Sequence, residues 1–171
     1  MKHAAPSWRR CAMLAAALVA IPVSSAPAQE AESFSGRWVA SGSRTLFDFV
    51  PGREVASFAI AGHVNLENGV GDAIDFWSEC IGLSDSAGGS TGRCVWRDFR
   101  GRRVFSVLSG RPLDSGVAVT GEIVGGTGNL EGITGAYAFT WHVVDVSPED
   151  GVVTGQSRDL AGTYRIPQRS E

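Results

Sequence analysis

The residues able to do acid–base or nucleophilic chemistry are few and widely spaced. Beyond residue 28 the chain holds two histidines, His63 and His142, and two cysteines, Cys80 and Cys94. It holds no lysine or methionine there, because Lys2, Met1 and Met13 all fall in the first 28 residues, and every later cation is arginine. Schiff-base lysine chemistry, P-loop phosphate transfer and methionine-ligated metals are therefore excluded. The two histidines fall on different predicted strands without H-x-H or H-x-x-x-H spacing, so no metal site is predicted. Gly88 to Gly92, GGSTG, spells G-x-S-x-G, but a nucleophile elbow joins a strand to a helix and this run falls at the tip of a hairpin. Gly126-Thr127-Gly128 does not extend to G-x-G-x-x-G, so no dinucleotide, and no other cofactor, is expected. What remains is a set of carboxylates, Glu79, Asp98 and Glu122, able to act as acid or base, and Arg97, able to steady developing negative charge.

The elements that must position these groups begin with a hairpin. Ile81 to Arg93, IGLSDSAGGSTGR, separates the two cysteines, and its centre is almost all turn-forming residues. If the hairpin is symmetric about Ala87, Cys80 faces Cys94, and a disulfide closing a loop of this size is worth roughly 3 kcal/mol. The same symmetry pairs Ser78 with Trp96 and Phe76 with Asp98 on one face, and Glu79 with Val95 and Trp77 with Arg97 on the other. Two arrangements stay open. Either the face of Trp77, Glu79, Ile81, Leu83, Val95 and Phe99 lines the interior, with Glu79 and Arg97 as the preferred buried pair, or Phe76, Trp96 and the cysteines point inward and Asp98 is the internal carboxylate. Trp77 opposite Arg97 also predicts a cross-strand cation–π pair, whichever way that face turns. Further along, Tyr137, Phe139, Trp141 and Val143 share one strand face, which suits either core filling or stacking on a planar ligand.

Period-2 patterns run through the rest of the chain and helical ones are absent. Strands are predicted at 35–43, 55–66, 73–83, 93–99, 103–109, 117–124, 135–146 and 152–166, the last with a bulge at Gly155 or Gly162. Eight short antiparallel strands in one domain argue for a barrel or a sandwich. Glycines inside strand patterns (Gly62, Gly121, Gly135, Gly155, Gly162) favour the barrel, because sharp corners tolerate them.

The first 28 residues read as an export signal. Lys2, Arg9 and Arg10 form a basic start, Ala12 to Ile21 an apolar run, and Ala26-Pro27-Ala28 a cleavage site, leaving 29–171 as one domain. The apolar run is about 10 residues, half the ~20 needed to cross a bilayer, so no membrane span is expected in the mature chain. Arg9-Arg10 leaves both the general and the twin-arginine export routes open. A periplasmic or secreted location follows, in which a disulfide persists. Residues 29–171 keep all 18 acidic residues against 12 arginines, a net charge of −6, which speaks against nucleic acid as a partner.

The run Gly125 to Trp141, GGTGNLEGITGAYAFTW, resembles the GGTG-x-(Phe/Leu)-x-G-(Ala/Ile)-x-G signature of the allene oxide cyclase and dirigent barrel superfamily, here as a secreted bacterial member. The resemblance implies an eight-stranded antiparallel β-barrel around an apolar cavity, often a trimer, in proteins that perform cofactor-free cyclisation or steer the coupling of reactive intermediates. Physically the run is a folding motif. Gly125, Gly126 and Gly128 supply a turn, and Leu130 and Ile133 tuck apolar side chains beneath it. No catalytic residue of the superfamily is carried over. The functional expectation is an exported barrel that binds an apolar or aromatic small molecule, through Trp77, Trp96, Tyr137, Phe139 and Trp141, or serves a non-catalytic envelope role. The alternative is a cofactor-free cyclase or isomerase using Glu79, Asp98 or Glu122 with Arg97.

Overall fold

The computed structural model describes residues 30–147 and 149–168. The expected export signal, with Cys11 and the cleavage site at Ala28, lies outside the described residues. The chain forms eight antiparallel strands, β1 (Glu32–Val50), β2 (Arg53–Asn68), β3 (Ala73–Asp85), β4 (Gly89–Arg97), β5 (Arg103–Leu113), β6 (Gly116–Gly126), β7 (Thr134–Val146) and β8 (Val152–Arg165). Each pairs with its sequence neighbour, and β8 returns to β1, closing the barrel. Closure leaves no sheet edge unpaired, which antiparallel proteins otherwise have to protect. All eight predicted strands are present, most of them longer than the alternation indicated. Among the described residues no helix is long and apolar enough to cross a membrane.

The interior is filled by alternating large and small side chains around the circumference. One continuous cross-strand row runs Phe58, Gly82, Gly92, Leu108, Gly121, Tyr137, Gly162, Phe34. The strands tilt, so the row climbs the barrel as it goes round, and glycines separate its large side chains so that no two bulky groups stand side by side. A β-carbon at Gly82 would lie 2.4 Å from Phe58 Cζ, and one at Gly162 would lie 2.7 Å from Phe34 Cζ. These strand glycines thus make room for rings, in addition to any role in bending the sheet. Of the two glycines expected to mark an irregularity in β8, Gly155 does stand beside one, a register slip against β7 in which Val144 of β7 is the extra residue, and Gly162 does not. The register of β8 slips against both neighbours around Asp159, which takes φ +55°, a conformation aspartate tolerates better than most residues.

The β3–β4 hairpin has the register its mirror symmetry predicts, with Cys80 opposite Cys94, Ser78 opposite Trp96 and Trp77 opposite Arg97. Cys80 and Cys94 form a disulfide and are both buried. The inward face is the one carrying Phe76, Ser78, the cysteines and Trp96.

Candidate functional site

The barrel's two ends differ. At one end the β2–β3, β4–β5 and β6–β7 connections close over a packed layer containing Phe34, Phe76, Trp96 and Tyr137. The GGTG motif belongs to this closed end. Gly126 has the Arg103 carbonyl oxygen 2.8 Å and the Leu130 carbonyl oxygen 2.6 Å from where a β-carbon would stand, and Gly128 opens a single 3-10 turn at φ +66°. Thr127 accepts a hydrogen bond from the Arg103 N–H through its hydroxyl and returns one from its own N–H to the Arg103 carbonyl, both 2.9 Å. Ile133 is buried beneath the turn and Leu130 packs against the same core. The connection is longer than a tight hairpin and acts as a plug.

Asp98 also serves this end. Its carboxylate is almost fully covered and accepts the backbone N–H groups of Arg100 and Arg102, each at 2.9 Å, together with Arg102 Nε. Arg102 reaches on to Asn129 at 2.9 Å, tying the β4–β5 turn to the GGTG turn. Burial acts to raise the Asp98 pKa, but the Arg102 guanidinium and the backbone donors outweigh it and hold the group below the ordinary carboxylate range. A carboxylate held ionised by three donors is a turn-forming group and a poor proton donor or acceptor.

At the opposite end the four hairpins β1–β2, β3–β4, β5–β6 and β7–β8 surround an open cavity of about 540 Å³. Its floor is aromatic: Trp38 lies 4.8 Å from Trp141 and 5.8 Å from Phe139, centroid to centroid. Its walls are aliphatic, from Ile60, Leu108, Val117, Val119 and Val153, with Phe58 beside them. Among the described residues the polar side chains that line it are Ser84, Ser90, Ser147 and Arg44, and Arg44 is half-exposed and 3.6 Å from Glu54. Beneath the floor, Tyr137 stacks nearly parallel to Phe139 and its hydroxyl lies 2.9 Å from Ser106 Oγ. Burial pushes the Tyr137 phenol up to about 12, with the Ser106 contact acting the other way. The Trp38 indole N–H is fully covered and has no hydrogen-bond partner among the described residues.

The structure separates the residues singled out from the sequence. Phe139 and Trp141 line the cavity. Trp96 and Tyr137 belong to the packed layer beneath it and do not line it. Trp77 lies on the outer wall, 40% exposed, with the ring of His63 edge-on at 5.0 Å. Glu79 and Arg97 pair with each other, 3.9 Å apart, but on the outer surface, with side chains 54% and 46% exposed. The preferred inward placement of that pair is thus corrected. Its face turned outward because the rings of Phe76 and Trp96 and the disulfide occupy the interior, and period 2 sends the alternate residues to solvent. Arg97 accordingly meets Glu79 while Trp77 meets His63. Glu122 is exposed on the outer wall between Val107 and Ala136. Sequence reasoning missed most of the cavity lining, among it Trp38, Phe58, Ile60, Leu108, Val117 and Val119. Their strands were predicted, and only the parity of each strand in the closed barrel could have marked them.

No family model matches the chain, and no curated protein matches it. Among solved structures it is similar to the pterocarpan synthase dirigent protein GePTS1, at a TM-score of 0.47 and 12% identity, over 84% of this chain and 92% of that one. The barrel described above rests on the strand pairing of this chain itself.

Proposed function

We infer that the protein is an exported barrel that binds an apolar or aromatic small molecule in the cavity between its four hairpins. One observation carries this reading: the cavity, about 540 Å³, is walled by aliphatic and aromatic side chains, and the charged residue that lines it among the described residues, Arg44, stands at the rim beside an opposite charge. Volumes of 300–1,000 Å³ with sparse polar groups are typical of small-molecule sites. Trp38, Phe139 and Trp141 offer stacking surfaces, and Ser84, Ser90 and Ser147 offer hydroxyls near the mouth. Export after Ala28 and kinship with the allene oxide cyclase and dirigent barrels, on the strength of the GGTG run, are part of the same reading.

The acid–base reading finds less support. It needs a carboxylate facing the cavity, whereas Glu79 and Glu122 lie on the outer wall and Asp98 is locked at the closed end.

A neutral fluorescent probe such as N-phenyl-1-naphthylamine tests the binding reading. It should brighten in the presence of the protein and quench the emission of Trp38 and Trp141. Val117→Trp, which fills the cavity near its mouth, should abolish both effects while circular dichroism shows an unchanged barrel. Undiminished probe binding by a folded Val117→Trp variant would place the site elsewhere.

A further inference from the structure

The cavity is apolar, but its mouth is acidic. On the four hairpins around it, Arg44 and Arg53 are ion-paired to Glu54 and Asp85. That leaves Asp48, Asp114, Asp145, Glu149 and Asp150 against Arg111, a net charge of −4 spread over the β1–β2, β5–β6 and β7–β8 hairpins. Two of these carboxylates adjoin residues of the cavity wall. Asp150 accepts hydrogen bonds from the Ser147 hydroxyl and, at 3.2 Å, from the Val152 N–H, and Ser147 lines the cavity. Asp48 stands directly across from Glu54 and shares its strand face with Arg44 and Leu46, which also line the cavity. The Arg44 backbone N–H donates to the Gly151 carbonyl at 3.1 Å, which joins these two hairpins at the rim. Whatever enters the cavity therefore passes carboxylates from three hairpins first.

We propose that the cavity takes an apolar ligand bearing a positive charge, a protonated or quaternary amine, with its body on the aromatic floor and its cationic group at the mouth. This rests on the reading of the cavity as the binding site, and it names the class of ligand. Two independent features point to it. The rim supplies the field, because charges of one sign around a cleft with low-dielectric walls concentrate the opposite ion there. The floor supplies the surface, because the rings of Trp38, Phe139 and Trp141 suit a flat apolar body and the faces of such rings attract cations. Arg44 does not turn this preference round. Glu54 already lies 3.6 Å from its guanidinium and Asp48 faces Glu54, so an anion brought to Arg44 would crowd two carboxylates. A neutral ligand gains the floor alone, and an anion meets an opposing field.

Displacement of N-phenyl-1-naphthylamine by three naphthalene ligands of similar shape is the test: (2-naphthylmethyl)ammonium, 2-naphthalenemethanol and 2-naphthoate. At low salt the ammonium should bind roughly tenfold more tightly than the alcohol, and the carboxylate more weakly than either. Added salt should draw the three together. Asp48→Asn/Asp150→Asn should lose most of the preference for the ammonium and bind the alcohol as before, since asparagine keeps the oxygen that accepts from Ser147 and Val152. Asp48→Asn alone, at an exposed carboxylate, should show part of the effect. Glu67→Gln/Glu122→Gln, which removes as much charge from the outer wall, should leave the preference intact. Equal binding of the three ligands, tightest binding of the carboxylate, or a preference that the rim variants keep would overturn the proposal. So would ammonium binding, read by calorimetry, that survives Val117→Trp, because the cation would then sit on surface carboxylates alone. The two readings fail separately: a neutral probe bound without any preference for charge removes the ligand class alone, and a protein that takes up neither probe nor alcohol removes the cavity reading.

Discussion

The phenol ring of Tyr137 lies flat against Gly121, its direct cross-strand neighbour, so closely that a β-carbon on Gly121 would stand 2.0 Å from Tyr137 Cζ. No side chain fits there while the ring keeps its place. Gly121→Ala should therefore destabilise the barrel by about 1–3 kcal/mol or more through overpacking, read from urea denaturation. Adding Tyr137→Leu should recover a large part of that loss, because the two changes act on one contact. An additive double variant would mean that the glycine is needed for the backbone and not for the ring.

Both tyrosines of the chain should be silent to mild alkali while the protein is folded. Burial raises Tyr137 to about 12, and Tyr164 is raised to about 12 by burial and by the neighbouring Glu32 carboxylate, which accepts its hydroxyl at 2.6 Å. Tyrosinate absorbance should be nearly absent at pH 10.5 in the native state, while the urea-unfolded chain titrates near the ordinary value of about 10. The linkage has a definite sign. The unfolded state releases these protons first, so the stabilisation is complete below pH 10 and is lost as pH rises from there towards 12.

Asp98 gives the opposite dependence. Its folded pKa lies below the unfolded value, so its contribution is complete above the ordinary carboxylate range and disappears as pH falls through the folded value. Asp98→Asn should cost about 2 kcal/mol at pH 7, the scale of hydrogen bonds to a charged group. The gap between wild type and variant should close in acid. A gap that persists unchanged at pH 2 would show that the carboxylate's charge is not what holds the turn.

The disulfide is buried within the barrel, so reductant should reach it only through opening of the fold. Mass spectrometry under native conditions should find Cys80 bonded to Cys94 and slow to reduce, and reduction should quicken in parallel with unfolding as urea is added. Replacing both cysteines by serine should cost about 2–4 kcal/mol. Two free thiols in folded, air-oxidised protein would contradict the pairing.

Much of the architecture was legible along the chain because it is encoded locally. Turn-forming residues and period-2 alternation marked all eight strands, and the mirror spacing about Ala87 set the register that joins Cys80 to Cys94. The GGTG run announced a turn whose glycines a β-carbon would clash with or strain. The faces were not legible, because alternation defines two sides of a strand without saying which is inside, and on β3 and β4 both sides carry large apolar residues: Phe76 and Trp96 on one, Trp77, Ile81, Leu83 and Val95 on the other. Closure decided between them. Once Val64 pairs with Phe76 and Trp96 with Val104, the parity of every strand is tied to its neighbours', and turning one strand over would bring rings against rings where the barrel has room for a ring against a glycine. The row from Phe58 to Phe34 exists only when eight strands are in register, as does the cavity. So the residues themselves determined that a barrel forms and where it is stapled, while tertiary structure alone placed Glu79 and Arg97 in water and Trp38, Phe139 and Trp141 beneath an open mouth.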